Sequence, residues 1–487
     1  MYKRRKVHTF RVQRISKHTL SAVSHVDFES EFKISKKKYE FPITASAHVC
    51  ALARKKGLEV QMPPAFVIAD TTYEKTDVDM DPRLYEHQVE GVQQIADWGS
   101  GMIADEMGVG KTAQALCLAK HWGGRVCVVC PSYLTQNWEH EGAFWGVNLT
   151  PVKKTVPPGN IVVSYSLTFR RDLGHIDVLI LDESHYVKNK SAKCTKAIRR
   201  IRAKHKVFLS GTPAPNCPME LYSQVSMLRK CGTYTEWVHR YCAAKMSPLG
   251  FMDVSGASNK EELAYWLKSV MVRRLKRDVL TLPPKIRGTL DVKVKTKKMA
   301  PKFARWKEIN RLCLIEETHE LVFERKALVS ELFLMTAEAK IDVAKSICVD
   351  LPKKTLVFVY HKVLGDACAS VLDCIRIDGS TPQDQRHELV RQFQDGEKDY
   401  AVLSMLAAGT GVTLTRATTV IMMEMYFVPG VMLQAEDRAH RIGQKEKVSV
   451  TYVLAGGTLD AHMFRKIQTK LKTLDKCLDG RNDRKLL

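Results

Sequence analysis

The chain has 487 residues, 45% of them hydrophobic and 26% charged, an ordinary composition for two or three globular domains with sizeable cores. No run of about 18 apolar residues occurs, so no membrane-spanning helix is expected, and the basic opening MYKRRKVHTF lacks the apolar stretch of a secretory signal. Lys and Arg outnumber Asp and Glu by 76 to 53, a net charge of +23 that points to a polyanionic partner, nucleic acid ahead of a membrane surface.

Residues 1–60 concentrate this charge, with 14 Lys/Arg against 5 Asp/Glu. VDFESEFKISKKKYEFPI (26–43) predicts two short strands around a turn carrying Lys36, Lys37 and Lys38, with a helix near 45–56. Tyr39 and Phe41 lie two apart and so share a strand face. They form either a small aromatic core or a stacking surface beside three lysines that are candidate DNA contacts. PPAFVIADTTYEKTDVDMDP (63–82) reads as a linker, so residues 1–80 are set apart as a basic N-terminal unit.

From residue 84 the texture changes. MIA, VCVV, IVVSY, DVLILD and KVFLSG are near-continuous apolar runs suited to parallel strands buried on both faces, with AQALCLAKHW an intervening helix. This predicts an α/β open sheet over 81–214 with ligand loops at the strand ends. ADEMGVGKT (104–112) resembles a phosphate-binding loop whose first glycine is replaced by Asp105. Gly108 and Gly110 permit the backbone curl, Lys111 would reach the β- and γ-phosphates, and Thr112 would hold Mg2+ through its hydroxyl. DVLILDESH (177–185) ends an apolar strand in two carboxylates. Asp182 would bind the Mg2+ and Glu183 would orient the attacking water. LSGTP (209–213) is either a routine turn or a loop coupling hydrolysis to a second sheet. Thirteen scattered cysteines favour free thiols in a reducing compartment. Cys127 and Cys130 form a C-x-x-C, but on a strand they face opposite sides and make a poor metal pair.

Residues 215–340 predict helices, including a continuous one over EELAYWLKSVMVRRLKRDVL, a Pro-Pro stop at 283–284 and a charged helical run from about 300. Strand-helix alternation resumes over 341–487 with TLVFVY, CIRIDGS, YAVLSM, TTVIMME and VSVTYVLA, a second α/β sheet. In QAEDRAHRIGQ (434–444), Arg438 and Arg441 lie three apart, so on a helix both guanidiniums would point one way. A phosphoryl-transfer site between two sheets needs such cations from the far side. The basic tail KIQTKLKTLDKCLDGRNDRKLL reads as a solvated helix on the second sheet.

These motifs carry a resemblance. GMIADEMGVGKT, PSYLTQNWEHE, VVSYSL, LDESH and LSGTP occur in the order of the superfamily 2 helicase motifs, and DEMGxGKT with DESH resembles the Snf2 branch, where Asp commonly replaces the first glycine. MVRRLKRDVLTLPPK, KTLVFVYHKVLGDA, IRIDGSTPQDQR, VLSMLAAGTGVTLTRATTVI and QAEDRAHRIGQ continue the match over roughly 84–470. The resemblance implies two RecA-like lobes, a helical insertion between them, and an ATP-driven translocase on double-stranded DNA. It implies that Gln88 contacts the adenine, that Tyr85 or His87 frames the base, that Gln434 belongs to the nucleotide site, and that Arg441 is the arginine finger with Arg438 assisting. Ser132, Thr410 and Thr413 would touch DNA, although Ala408 and Thr413 depart from the family's AGGxGLNL form. The compact insertion and the motif wording look closest to the annealing-helicase, fork-remodelling group.

Three readings follow. The first is a DNA-stimulated ATPase using ATP and Mg2+ that reanneals or remodels forked DNA. The second is a translocase that strips proteins such as polymerase from DNA. The third is a nucleotide-regulated DNA-binding protein with little turnover, disfavoured because Lys111, Asp182, Glu183 and Arg441 are all present. A monomer meeting replication or repair proteins is expected, nuclear in a eukaryote and in the cytoplasm or nucleoid of a bacterium or virus, with no membrane partner. Asp105 is left with two readings, a branch marker or a group that fixes the loop by accepting backbone N–H bonds.

Overall fold

The computed structural model describes residues 75–247, 250–406 and 413–480, together with the backbone of five short strands within 9–61. The expected helix near 45–56 and Lys36, Lys37 and Thr410 lie outside the described residues. The leading strands are β1 (Thr9–Arg14), β2 (Thr19–Ser24), β3 (Lys33–Ser35), β4 (Lys38–Pro42) and β5 (Glu59–Gln61), in the order β3-β4-β2-β1-β5. β3 and β4 are the antiparallel pair expected around the lysines. Tyr39 and Phe41 pair with Ala22 and Leu20, two apart on one strand.

The first large sheet contains β6 (Gly101–Ile103), β7 (Val126–Cys130), β8 (Thr150–Pro151), β9 (Ile161–Ser164), β10 (Val178–Leu181) and β11 (His205–Leu209). After a small hairpin of β12 (Lys245–Met246) and β13 (Met252–Asp253), β14 (Met271–Val272) joins its edge, giving β14-β6-β11-β10-β7-β9-β8, all parallel. Every residue of β7, β9 and β10 is buried, as their apolar runs require of a sheet covered on both faces. Cys127 and Cys130 enter the cores on opposite faces of this sheet, following the strand alternation.

The second sheet comprises β15 (Lys285–Val292), β16 (Thr355–Val359), β17 (Cys374–Ile377), β18 (Tyr400–Ser404), β19 (Thr419–Met422) and β20 (Val448–Ala455), ordered β15-β20-β19-β16-β18-β17 and again parallel. The fold is two parallel-sheet lobes with helices packed around each, as expected. Among the described residues no helix is long and apolar enough to cross a membrane.

Three local expectations are corrected. The predicted long helix at 261–280 is broken into Lys260–Leu267 and Lys276–Val279. Between them, buried Val270, Met271 and Val272 gain more as sheet edge than as helix, since Met102 and Ala104 donate to the Val270 and Val272 carbonyls. β15 was hidden because it is an edge strand with no fully buried residue and lacks an apolar run. The tail helix Asp460–Asp479 does not rest on the second lobe alone. Met463, Phe464, Ile467 and Leu471 enter the second core, whereas Leu474, Cys477 and Leu478 enter the first.

Candidate active site

The phosphate loop links β6 to the helix Lys111–Trp122, and its backbone curls at two glycines in the left-handed region: Gly108 at φ 79° and Gly110 at φ 89°. A Cβ on Gly110 would stand 2.0 Å from Gln88 Nε2, and one on Gly108 would stand 2.6 Å from the Arg441 Cβ. Both positions therefore need glycine for close approach as well as for φ. Lys111 and Thr112 open the helix, where free N–H groups and the dipole favour an anion. Lys111 Nζ donates to the Asp105 carbonyl (2.9 Å) and the Glu106 carbonyl (3.1 Å). Burial lowers the lysine's proton affinity, opposed by the charges of Glu183, Asp105 and Asp182.

Gln88 lies in the first turn of the helix Glu86–Trp98. Its Oε1 accepts from the Tyr85 N–H (3.0 Å) and its Nε2 donates to the Val109 carbonyl (3.0 Å), which braces the loop from behind. The amide has a second hydrogen for another acceptor. His87 Nε2 lies 3.2 Å from the same carbonyl, and Tyr85 stacks on the His87 ring at 5.8 Å with its own ring largely exposed.

Asp182 and Glu183 follow β10, one strand from β11 and two from β6. Asp182 Oδ2 accepts from Trp138 Nε1 (2.8 Å), its Oδ1 from the Glu183 N–H (2.9 Å), and its carbonyl from the Tyr165 hydroxyl (2.8 Å). Burial, with the adjacent Glu183 charge, pushes the Asp182 carboxyl up from its ordinary range. Glu183 is held in the left-handed region at φ 49°, an uncommon conformation for a side-chain-bearing residue and one found at functional turns. Burial would raise its carboxyl, but His185, Lys111 and Arg438 together hold it below the usual value. His185 Nδ1 lies 3.2 Å from Glu183 Oε2 and 3.4 Å from the Ser210 hydroxyl, so the acidic pair touches the SGTP loop.

The second lobe supplies Arg438 and Arg441. They do not lie on a helix: Pro429–Glu436 ends before them. Past the helix the chain turns, Arg438 N–H donating to Ala435 O (3.2 Å), and tertiary bonds hold the turn, Leu414 N–H donating to Arg438 O (3.0 Å) and Lys276 Nζ to His440 O (2.6 Å). Arg438 is buried, and burial lowers its proton affinity against the pull of the Tyr133 hydroxyl and Glu183. Arg441 packs against Gly108, donates from Nη1 to Thr413 Oγ1 (2.9 Å), and is lowered to about 10 by burial and the like charge of Arg438.

The charges of Lys111, Asp182, Glu183, Arg438 and Arg441 thus act on one another, with Gly108 packed against Arg441, Gly110 against Gln88, and Thr112 next to Lys111 at the helix start. Gln434 Nε2 donates to Thr212 Oγ1 (3.2 Å), joining the second lobe to the SGTP loop. Ser132 is exposed just after β7, its carbonyl accepting from Thr135 Oγ1 (2.9 Å). Thr413 is exposed beside Arg441, and Lys38 begins β4 in the separate N-terminal sheet. Sequence reasoning missed Trp138, which holds the Asp182 carboxylate from 44 positions away, a separation no spacing rule reaches. It also missed Arg274 and Lys276, which bind the phosphate loop from the far end of the helical segment.

The residues fit a magnesium nucleotide. The cradle at Gly108 and Gly110 is closed to any Cβ, and the half-buried Asp182 carboxylate with raised proton affinity acts on the half-buried Lys111 ammonium. Thr112 and Asp182 would hold a hard divalent cation, which oxygen donors of this kind suit.

The SNF2-related domain family matches residues 51–160 and 160–334, and the helicase conserved C-terminal domain matches residues 339–443. The chain is 37% identical over 430 residues to the DNA annealing helicase and endonuclease ZRANB3 of Bos taurus, covering 79% of this chain and 40% of that protein. It is 37% identical over 446 residues to the SWI/SNF-related matrix-associated actin-dependent regulator of chromatin subfamily A-like protein 1 of Xenopus laevis, covering 84% of this chain and 45% of that protein. The chain therefore spans less than half the length of these two curated relatives.

Proposed function

The chain belongs to the SNF2-related family, and we propose from that premise that it is an ATP-driven translocase on double-stranded DNA that reanneals or remodels branched DNA. One observation carries the enzymatic part: a phosphate loop and an acidic pair on the first lobe face two arginines on the second, with Arg441 seated on Gly108. A binding protein without turnover has no need to bring cations from a separate lobe onto a phosphate loop. Similarity to a relative named as a DNA annealing helicase supports the branched substrate, and the net charge of +23 supports a nucleic-acid partner.

In this reading Lys111 and the loop N–H groups hold the phosphates, while Thr112 and Asp182 hold the metal. Bound Mg2+ supplies charge neutralisation on the phosphate oxygens. Glu183 orients a water and accepts its proton, with His185 passing the state of that carboxylate to Ser210. Arg441 stabilises charge on the transferring phosphoryl group and Arg438 assists. Gln88 offers its second amide hydrogen to the adenine, and Tyr85 frames the base. Lys36, Lys37 and Lys38, with Ser132, Thr410 and Thr413, contact the DNA, so the protein works wherever the cell keeps its DNA.

The test is ATP hydrolysis measured without nucleic acid and with single-stranded, duplex and forked DNA and RNA. Turnover should rise with duplex and rise further with forks. No stimulation by any DNA removes the motor assignment, and equal stimulation by forks and plain duplex removes the fork preference.

A further inference from the structure

Asp105 stands where a phosphate loop usually has its first glycine, and it is fully buried. Its Oδ1 accepts from the Arg274 main-chain N–H at 2.9 Å, its Oδ2 accepts from Gln114 Nε2 at 2.9 Å, and Arg274 Nη1 lies 3.4 Å from Oδ2. Neighbouring bonds join the same two segments. Ala104 N–H donates to Val272 O (2.7 Å), Glu106 N–H to Arg274 O (3.0 Å), and Lys276 N–H to the Glu106 carboxylate (2.7 Å). The β6–β14 pairing is thereby carried past both strand ends and into the phosphate loop. A glycine at 105 would supply neither carboxylate bond.

The two ends of this zipped unit reach different partners. On the nucleotide side, Lys111 Nζ rests on the Asp105 and Glu106 carbonyls, which it must leave to reach a phosphate. On the other side, Lys276 Nζ donates to His440 O (2.6 Å) and pairs with Asp437 (2.8 Å), flanking the two arginines of the second lobe. Arg273 joins Ala104 O (2.7 Å) to Asp479 (2.7 Å) at the end of the helix shared by both cores. A cavity of about 420 Å³, lined by Glu106, Met107, Lys276, Pro283, Pro284 and Asp437 among others, lies beside the segment and leaves it room to shift.

We propose that Asp105 is a positioning residue that makes the phosphate loop and residues 270–276 move as one body. Withdrawal of Lys111 from the loop carbonyls by a nucleotide is then passed through Arg274 and Lys276 to the turn that carries Arg438 and Arg441. This inference rests on the ATPase reading above.

The test uses the full chain and three variants, Asp105→Ala, Asp105→Asn and Arg274→Ala. Duplex-stimulated kcat and the KM for ATP are measured, together with the distance between fluorophores on the two lobes with and without a non-hydrolysable ATP analogue. Asp105→Ala should lower kcat about tenfold or more while KM changes less than about threefold, because misplacement of the far lobe's cations acts on the transition state. Its lobe distance should no longer respond to the analogue. Asp105→Asn keeps an acceptor for the Arg274 N–H and should recover part of both readouts. Arg274→Ala keeps the main-chain bond and should show a smaller loss, which also serves if Asp105→Ala does not fold. A KM that rises as far as kcat falls, or Asp105→Ala and Arg274→Ala with the wild-type lobe response, would overturn the proposal. If the unmodified chain is not stimulated by DNA, it is the motor assignment that fails instead.

Discussion

Arg441 owes its place to a glycine on the other lobe. Its Cβ occupies space that any side chain at Gly108 would fill, and its guanidinium is parked on Thr413. Burial lowering it to about 10 still leaves it charged at neutral pH. An arginine so placed should matter to the transition state more than to nucleotide affinity. Arg441→Ala is expected to lower duplex-stimulated kcat by about 10³-fold or more with a smaller change in KM for ATP. Steady-state kinetics check this, and a variant that loses only ATP affinity would reassign Arg441 to binding. Arg438 differs in kind, being buried within reach of the Glu183 charge, so its removal also disturbs the acid side of the site.

At the scale of elements, β15 shows how a strand without an apolar run is held. Its Lys285 and Arg287 bind Glu436 at the end of the helix Pro429–Glu436, with Lys285 reaching Asp437 (3.0 Å) as well and the Tyr452 hydroxyl donating to Glu436. Burial alone would raise the Glu436 carboxyl, yet Lys285 and then Arg287 outweigh it and hold it at about 2 against an ordinary 4.5. The folded state therefore binds fewer protons than the unfolded chain between those values. The stability Glu436 contributes is complete above about pH 4.5 and is lost as the pH falls through about 2. Urea unfolding between pH 6 and pH 2.5 should show the midpoint falling over the acid part of that range. Glu436→Gln, already less stable at pH 6 because half-buried Arg287 loses this carboxylate and Lys285 loses one of its two, should fall less steeply. An equal slope in both proteins would assign the acid loss to other carboxylates.

For the whole molecule, the helix Asp460–Asp479 decides that the two lobes are not simply strung together. Its apolar positions 463, 464, 467, 471, 474 and 478 follow helical spacing, and the last of them cross into the first core. Leu474→Ala should cost about 2–4 kcal/mol, the usual range for truncating a buried leucine. Because it loosens the first core from the second lobe's helix, unfolding should also separate into two transitions, seen by calorimetry; one undivided transition at the wild-type temperature would contradict the bridging role. Much of this protein was legible in its residues. Apolar runs marked most of the core strands because burial on both faces demands such runs, and the glycines, Lys111, Asp182 and Glu183 were legible because phosphate chemistry demands those types at short spacing. What the residues did not disclose depends on distant partners. The hidden strands β14 and β15 need a neighbouring strand to exist, and the bond from Gln434 to Thr212 joins residues 222 positions apart. The turn that carries the arginines is tied to Leu414 through the Arg438 carbonyl and to Lys276 through the His440 carbonyl, and Asp105 reaches a segment 169 positions away. Local spacing determined the chemistry, whereas hydrogen bonds across long separations decided which groups the chemistry is shared between.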